Sequence, residues 1–263
     1  MMEIELNGQV IVVTGGSEGI GEGIAHGLAR CGATVVILSR DEQQMQFVVD
    51  SILDAGGDAS WVAADVTRSD QVADAIQQTI DRHSRIDGLV ANAGINGTWA
   101  PVEELTPDDW RKTIDVNLTG TFLAVHHCVP HLKRAGGGSI VVMASINGTR
   151  TFSNEGASAY AASKAGQFAL AKMLALELAP SKIRVNVICP GAIESNIHEK
   201  TNREDLERIE TPVIFPEGKI PLTGGDFGTP EQVARLTAFL MSDLADHVTG
   251  TPVWIDGGQS LIQ

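Results

Sequence analysis

A doubly wound α/β fold, with a seven-stranded and mainly parallel sheet covered by helices on both faces, is what the sequence predicts for this chain. Three observations carry that expectation. Short runs rich in Val, Ile and Thr alternate from end to end with longer stretches rich in Ala, Leu, Gln, Glu and Lys. Several of the short runs are almost continuously apolar, which suits strands buried on both faces. The stretches between them are long enough for the helical crossovers that parallel neighbours need. No linker-like composition and no long-period repeat interrupts the pattern, so residues 1–263 read as a single domain.

The strands are expected at residues 9–14 (QVIVVT), 34–39 (TVVILS), 60–64 (SWVAA), 86–91 (IDGLVA), 138–143 (GSIVVM), 184–189 (RVNVIC) and 250–255 (GTPVWI). In such sheets ligands bind beyond the carboxyl ends of the strands, so the residues that follow each strand are the informative ones. The first strand runs into Thr14-Gly15-Gly16-Ser17-Glu18-Gly19-Ile20-Gly21. The fourth ends in Ala91-Asn92-Ala93-Gly94, the fifth in Ala144-Ser145-Ile146-Asn147-Gly148 and the sixth in Cys189-Pro190-Gly191. Small and polar residues gather at this one end of the sheet. That end is the expected site.

The first loop has the spacing Gly15-x3-Gly19-x-Gly21 where a strand passes into a helix. Glycine tolerates positive φ and offers no Cβ to hold an anion away from the backbone amides. A helix beginning near Gly19 would aim its free N–H groups and the positive end of its dipole at a pyrophosphate. This is not the G-x-G-x-x-G fingerprint, and alone it fits an ordinary glycine turn equally well. The sharper signal is Tyr160-Ala161-Ala162-Ser163-Lys164, which contains the chain's one tyrosine. A spacing of four places the phenol and the ammonium on one helix face. A phenol titrates near pH ~10 and is a poor base at neutrality; lowering it to ~7 takes about 4 kcal/mol of differential stabilisation. A neighbouring cation acts in that direction.

Thr14-Gly-Gly-Ser-Glu-Gly-Ile-Gly21, Ala91-Asn-Ala-Gly94, Asn117, Ser145, Tyr160-x-x-x-Lys164 and Pro190-Gly191 fall in the order of the motifs of the classical short-chain dehydrogenase/reductases. The chain resembles that family over essentially its whole length, down to Asp256-Gly257-Gly258. The resemblance implies a Rossmann-like fold and an enzyme that moves a hydride between a nicotinamide coenzyme and a secondary alcohol or ketone. It implies Tyr160 as general acid or base and Lys164 as the group that lowers its pKa and bonds the nicotinamide ribose. Ser145 would hold the reacting oxygen, and Asn117 would support a water chain to the lysine. Gly15, Ser17, Gly19, Ile20 and Gly21 would line the pyrophosphate, Asp65 and Val66 the adenine, and Asn92, Ala93 and Gly94 the adenosine ribose side. Pro190, Gly191, Ile193 and Ser195 would meet the nicotinamide, Ser195 standing where the family usually has threonine. The separation of Ser145 from Tyr160 exceeds the family's usual one, so the loop with Thr151, Ser153 and Ser158 is expected to bulge towards the substrate.

The coenzyme is expected to be NADP(H) in preference to NAD(H). A carboxylate ending the second strand would bond a ribose 2′-hydroxyl and repel a 2′-phosphate. The strand ends instead in Leu38-Ser39-Arg40, and a guanidinium is well shaped for phosphate. Against this stand Glu18, where phosphate-preferring relatives often carry a base, and Asp41-Glu42 directly after Arg40. Arg40 also fits a solvated residue opening the next helix.

Composition narrows the partners. Lys and Arg number 19 against 33 Asp and Glu, a net charge of −14, and without a basic stripe a nucleic-acid partner is not expected. Apolar runs such as Val35-Val36-Ile37-Leu38 fall far short of the ~20 residues of a membrane-spanning helix. The acidic start Met1-Met2-Glu3 lacks an apolar signal segment,. Cys31, Cys128 and Cys189 are odd in number and widely spaced, as in reduced, cytoplasmic proteins. No metal is expected either, because His126, His127, His131 and Cys128 lack a further ligand to close a tetrahedral shell.

Residues 194–226 are irregular and charged, with Pro212, Pro216, Pro221 and Gly224-Gly225 around the apolar run Val213-Ile214-Phe215. They are expected to form a mobile substrate lid, with Lys200–Glu210 as the solvated face of a lid helix. Trp99, Trp110 and Trp254 are expected in the core or at subunit contacts. The resemblance further implies a homotetramer (or homodimer), with Trp254–Gln263 near an interface. It also accommodates sugar oxidation with NAD or reduction of 3-oxoacyl thioesters, the latter disfavoured by a surface that would repel an anionic carrier unless Arg111-Lys112 or Lys133-Arg134 attracts it. A coenzyme-binding regulatory protein without chemistry would be expected to lose Tyr160 or Lys164. A nucleotide hydrolase would need a Gly-Lys-Ser/Thr phosphate loop that the chain lacks.

Overall fold

Alternating strands and helices build the chain in the order β1 (Val10–Thr14), α1 (Gly19–Arg30), β2 (Thr34–Ser39), α2 (Glu42–Asp54), β3 (Asp58–Ala63), α3 (Ser69–His83), β4 (Gly88–Ala91), α4 (Pro107–Ile114), α5 (Gly120–Ala135), β5 (Gly138–Met143), α6 (Ser158–Leu178), β6 (Ile183–Pro190), α7 (Pro230–Met241) and β7 (Pro252–Ile255). The computed structural model describes residues 3–152, 154–195, 197, 199–210 and 220–262. The seven strands form one sheet in the order β3-β2-β1-β4-β5-β6-β7, and every pairing in it is parallel. Strand order reverses between β1 and β4, which opens a crevice at their carboxyl ends.

Adjacent residues of the central strands belong to opposite cores, which is why these strands read as unbroken apolar runs. Val10, Val12, Leu89, Ile140, Val142 and Val187 pack on one face with Val72, Cys128 and Ala171. Ile11, Val13, Val90, Val141 and Ile188 pack on the other with Ile24, Leu28, Val48 and Val233. Helix starts are set by local chemistry. Asp41 accepts the Gln44 N–H at 3.1 Å to cap α2, Thr106 caps α4 ahead of Pro107, and Thr229 with Gln232 forms a reciprocal capping box at α7,.

Several strand boundaries differ from expectation by one or two residues. β3 starts at Asp58, earlier than residue 60, because it pairs with all six residues of β2 and Asp58 accepts the Thr34 hydroxyl at 2.6 Å. β4 starts at Gly88, because Asp87 turns its carboxylate to the Val10 N–H at 2.9 Å. A π-turn at Asp115–Thr119 joins α4 to α5 and carries Asn117.

The expected lid helix at Lys200–Glu210 is not formed. Asn202 and Arg203 instead pair with Thr98 and Trp99 as a two-stranded ribbon, Asp205 adopts a positive φ that breaks any helix, and only a short 3₁₀ turn follows at Leu206–Arg208. Arg208 fastens this turn to Glu103 and Glu104. Ser153, Pro212, Pro216 and the run Val213-Ile214-Phe215 lie outside the described residues. Of the tryptophans, Trp99 is buried and Trp254 half-buried, but Trp110 is 41% exposed and belongs to neither core. No described helix is long and apolar enough to cross a membrane.

Candidate active site

The crevice brings together residues from four strand ends. Thr14 closes β1, and its hydroxyl oxygen accepts the N–H groups of Asn92 (3.0 Å) and Ala93 (3.1 Å). The Asn92 side chain donates back to the carbonyls of Thr14 and Gly15, both at 3.1 Å. The loops after β1 and β4 are therefore locked to each other. Gly15 (φ +64°) and Gly21 serve that packing: a Cβ at Gly15 would lie 2.8 Å from Ala93 Cα, and one at Gly21 only 2.0 Å from the Gly15 carbonyl oxygen. Expected to make room for pyrophosphate, these two glycines are required by the protein's own backbone. The Asn92 amide is committed to the same loop.

The first turn of α1 begins at Gly19, in the loop that follows β1, and its leading N–H groups have no helical partners. Beside it the Ser17 hydroxyl donates to Ser39 at 3.0 Å, and Arg40 stands 3.9 Å from the Asp65 carboxylate. Asp65 also accepts the N–H (2.9 Å) and hydroxyl (2.8 Å) of Thr67. Val66 is buried, and Gly120 of α5 comes so close that a Cβ there would lie 2.9 Å from it. These residues fit a dinucleotide: free helix amides at the phosphates, and small hydroxyls with a guanidinium where an adenosine ribose would lie.

At the other end of the crevice, β5 delivers Ser145 and α6 delivers Tyr160 and Lys164. The Ser145 hydroxyl accepts the Asn147 N–H at 3.1 Å and shares a hydrogen bond with Tyr160. Lys164 is 4% exposed, donates to the Met143 carbonyl at 2.9 Å and has its nitrogen 5.6 Å from the Tyr160 ring centre. Burial lowers its pKa to about 8. Burial also pushes the Tyr160 phenol up, and the Ser145 hydrogen bond pulls it back in part. Desolvation dominates both groups, and the ammonium is turned to a backbone carbonyl.

Asn117 is fully buried. Its side chain accepts the Ile95 N–H (2.8 Å) and donates to the Ile95 carbonyl (2.9 Å) and to Ser163 (2.9 Å). The side chain thus pins the turn after β4 to α6. It holds Gly94 so close to the lysine that a Cβ there would lie 3.4 Å from Lys164 Nζ. Pro190 accepts the Ile146 N–H at 2.9 Å, and Gly191 donates to Ile255 at 3.1 Å. Ile193 is buried beneath the site. Ser195 packs 3.2 Å from where a Gly19 Cβ would be, and Ile20 lines the second core.

Sequence reasoning missed two parts of this site. Trp99 lies 6.5 Å from the Tyr160 ring between centres, with the Arg203 guanidinium 5.6 Å from its own ring. Glu18 is ion-paired with Lys200, at 2.7 and 2.5 Å to its two oxygens. A two-residue ribbon is too short to show periodicity, and a pair 182 residues apart leaves no local signal. A cavity of about 290 Å³ is lined by Asn147, Thr151, Phe152, Asn154, Gly156 and Ala161. The Thr151 hydroxyl is buried and has no partner among the described residues.

A crevice at the strand-order reversal of a parallel sheet, holding serine, tyrosine and lysine together, defines a nicotinamide-dependent oxidoreductase of the α/β class. Residues 14–260 match the family model described as "Enoyl-(Acyl carrier protein) reductase". The chain is 37% identical to the 3-oxoacyl-(acyl-carrier-protein) reductase FabG of Chlamydia pneumoniae, covering 98% of this chain and 99% of that one. It is 35% identical to the cyclohexanol dehydrogenase of Acinetobacter sp. (strain SE19), covering 98% and 97%. The crystal structure of a 3-ketoacyl-ACP reductase from Sinorhizobium meliloti 1021 superposes with a TM-score of 0.93 at 49% identity, covering 97% of this chain and 100% of that one. The chain belongs to the classical short-chain dehydrogenase/reductase family. It is an NAD(P)-dependent oxidoreductase acting on alcohol and carbonyl groups.

Proposed function

We propose that the protein interconverts a neutral secondary alcohol and a ketone with NADP(H) as the preferred coenzyme, in a single domain whose segment 194–226 covers the substrate. The observation that carries this is the gathering of Ser145, Tyr160 and buried Lys164 at the carboxyl ends of the strands, with Lys164 Nζ 5.6 Å from the Tyr160 ring centre. The coenzyme supplies or accepts the hydride when bound. Tyr160 gives its proton to the substrate oxygen in reduction and takes one in oxidation. Ser145 holds that oxygen by a hydrogen bond from its hydroxyl. Lys164 carries the positive charge that favours phenolate, and Asn117 positions the turn packed against it. Ser17, Ser39 and Arg40 receive the ribose 2′-phosphate, and no carboxylate ends β2 to repel it.

A neutral substrate is supported by the covering segment. Between residues 194 and 210 it carries six carboxylates against three cations, which disfavours an anionic acyl carrier. Lys133 and Arg134 end α5, at the edge of the sheet away from the site. The second reading, reduction of 3-oxoacyl thioesters, is favoured by the similarity to the Sinorhizobium meliloti reductase. A homotetramer or homodimer is supported by Met173, Leu176 and Phe122 on α6 and α5, all exposed; light scattering that returned a monomer would overturn it. Free thiols at Cys31, Cys128 and Cys189 support a cytoplasmic setting.

A panel of ketones, secondary alcohols and 3-oxoacyl thioesters, assayed with both coenzymes at ~340 nm, tests the assignment. Tyr160→Phe should lower turnover by about 10²–10⁴-fold while leaving coenzyme affinity largely intact. Undiminished turnover in that variant would remove the mechanism.

A further inference from the structure

The segment that covers the site reaches across it. Ser195 rests on Gly19 at the start of α1. Further along, Thr201 accepts the Asn96 side-chain amide at 2.8 Å, and Asn202 donates to the Gly97 carbonyl at 3.3 Å. Ser195 thus meets the first turn of α1, and Asn202 the loop after β4. Between them in sequence, the Lys200 ammonium meets both oxygens of Glu18.

Glu18 occupies the N-cap position of α1 but makes no side-chain cap. Its carboxylate stands at the helix end where anions are otherwise welcome, and one residue from Ser17, which is bonded to Ser39. A bare carboxylate there opposes every coenzyme phosphate. Arg40, the other cation nearby, lies against Asp65 instead.

We propose that Lys200 is a coenzyme-positioning residue: carried in by the covering segment, it neutralises Glu18 and so sets the affinity for the coenzyme phosphates. Its influence is greater on the 2′-phosphorylated coenzyme, which bears more negative charge. This rests on the coenzyme site described above, and on the pairing of two side chains that no motif of the family joins in sequence.

Fluorescence titration of NADPH and NADH into the wild type, Lys200→Ala, Glu18→Gln and the double variant tests it without reference to turnover. Lys200→Ala should weaken NADPH about tenfold and NADH by about threefold or less, the order of one exposed charge interaction. Adding Glu18→Gln should return both affinities to within about threefold of the wild type. Raising the salt should shrink the Lys200→Ala effect, which a merely structural role would not produce. Equal affinities in wild type and Lys200→Ala, or a double variant no tighter than Lys200→Ala, would overturn the proposal. A wild type that binds neither coenzyme would overturn the site assignment itself, and a wild type that prefers NADH would overturn only the coenzyme preference.

Discussion

Lys164 Nζ stands 5.6 Å from the centre of the Tyr160 ring while donating to the Met143 carbonyl at 2.9 Å. Each residue is an unfavourable place for its own charge, because burial disfavours ammonium and phenolate alike,. The neutral phenol is the form that donates to a ketone. The phenolate that an alcohol needs must be drawn out by hydrogen bonds and by charge brought in with the coenzyme.

Ketone reduction should accordingly decline, and alcohol oxidation rise, as pH increases above neutrality. The Ser145 hydrogen bond is the one contribution in the site that lowers the phenol's pKa. Ser145→Ala should therefore move both pH profiles of kcat/KM to higher pH, besides slowing turnover by about 10²-fold or more. Profiles that superpose on the wild type's would show that Ser145 acts only in binding.

Lys164 trades stability for activity. Its folded pKa of about 8 lies below the unfolded ~10.4, so the unfolded chain binds the extra proton between those values. The cost of burying the ammonium, on the order of 3 kcal/mol, is complete below pH 8 and is relieved as pH rises towards ~10. Lys164→Met should be inactive, yet should melt above the wild type at pH 7, by a margin that narrows at pH 9.5. A melting temperature lower at both pH values would show that the Met143 hydrogen bond outweighs the desolvation.

The sheet was legible because two-sided burial writes itself into consecutive residues: Val12 and Val13 face different cores, and both must be apolar. Tyr160 and Lys164 were legible because helical geometry converts a spacing of four into one face. Their pKa directions were not, since these depend on how completely the fold removes water from each group. Asn117 shows the same limit. Its position is marked in sequence, but its π-turn and its bonds to Ile95 and Ser163 are tertiary facts. The covering segment misled for a different reason. Its charges at Lys200–Glu210 fit a helix, but the partners of Asn202, Arg203 and Arg208 lie about a hundred residues away.

The thiols give an inexpensive check of the core. Burial raises Cys128 to about 12 and Cys189 to about 11, so neither holds appreciable thiolate at pH 8. Cys31, at the end of α1, is only half-buried. A thiol-specific disulfide reagent should label about one cysteine per native chain at pH 8 and all three after denaturation. Rapid labelling of all three without denaturant would contradict the packing.

Gly21 and Gly56 separate conformational strain from loop architecture. Gly56 has a φ of +82°, and nothing lies within 4 Å of where an added methyl would stand. Gly56→Ala should therefore cost only about 1–2 kcal/mol of backbone strain and leave coenzyme binding unchanged. At Gly21 a methyl would strike the Gly15 carbonyl oxygen and, at 2.5 Å, the Asn92 amide nitrogen, both held in the bonds that join the loops after β1 and β4. Neither can retreat without releasing Thr14 and opening the crevice. Gly21→Ala should lose about 3 kcal/mol or more, beyond ordinary overpacking, and weaken coenzyme binding by more than about tenfold, as a misplaced phosphate loop would. Thermal melts paired with coenzyme titration of the two variants would decide it, and equal retention of binding in both would place the phosphates away from this loop.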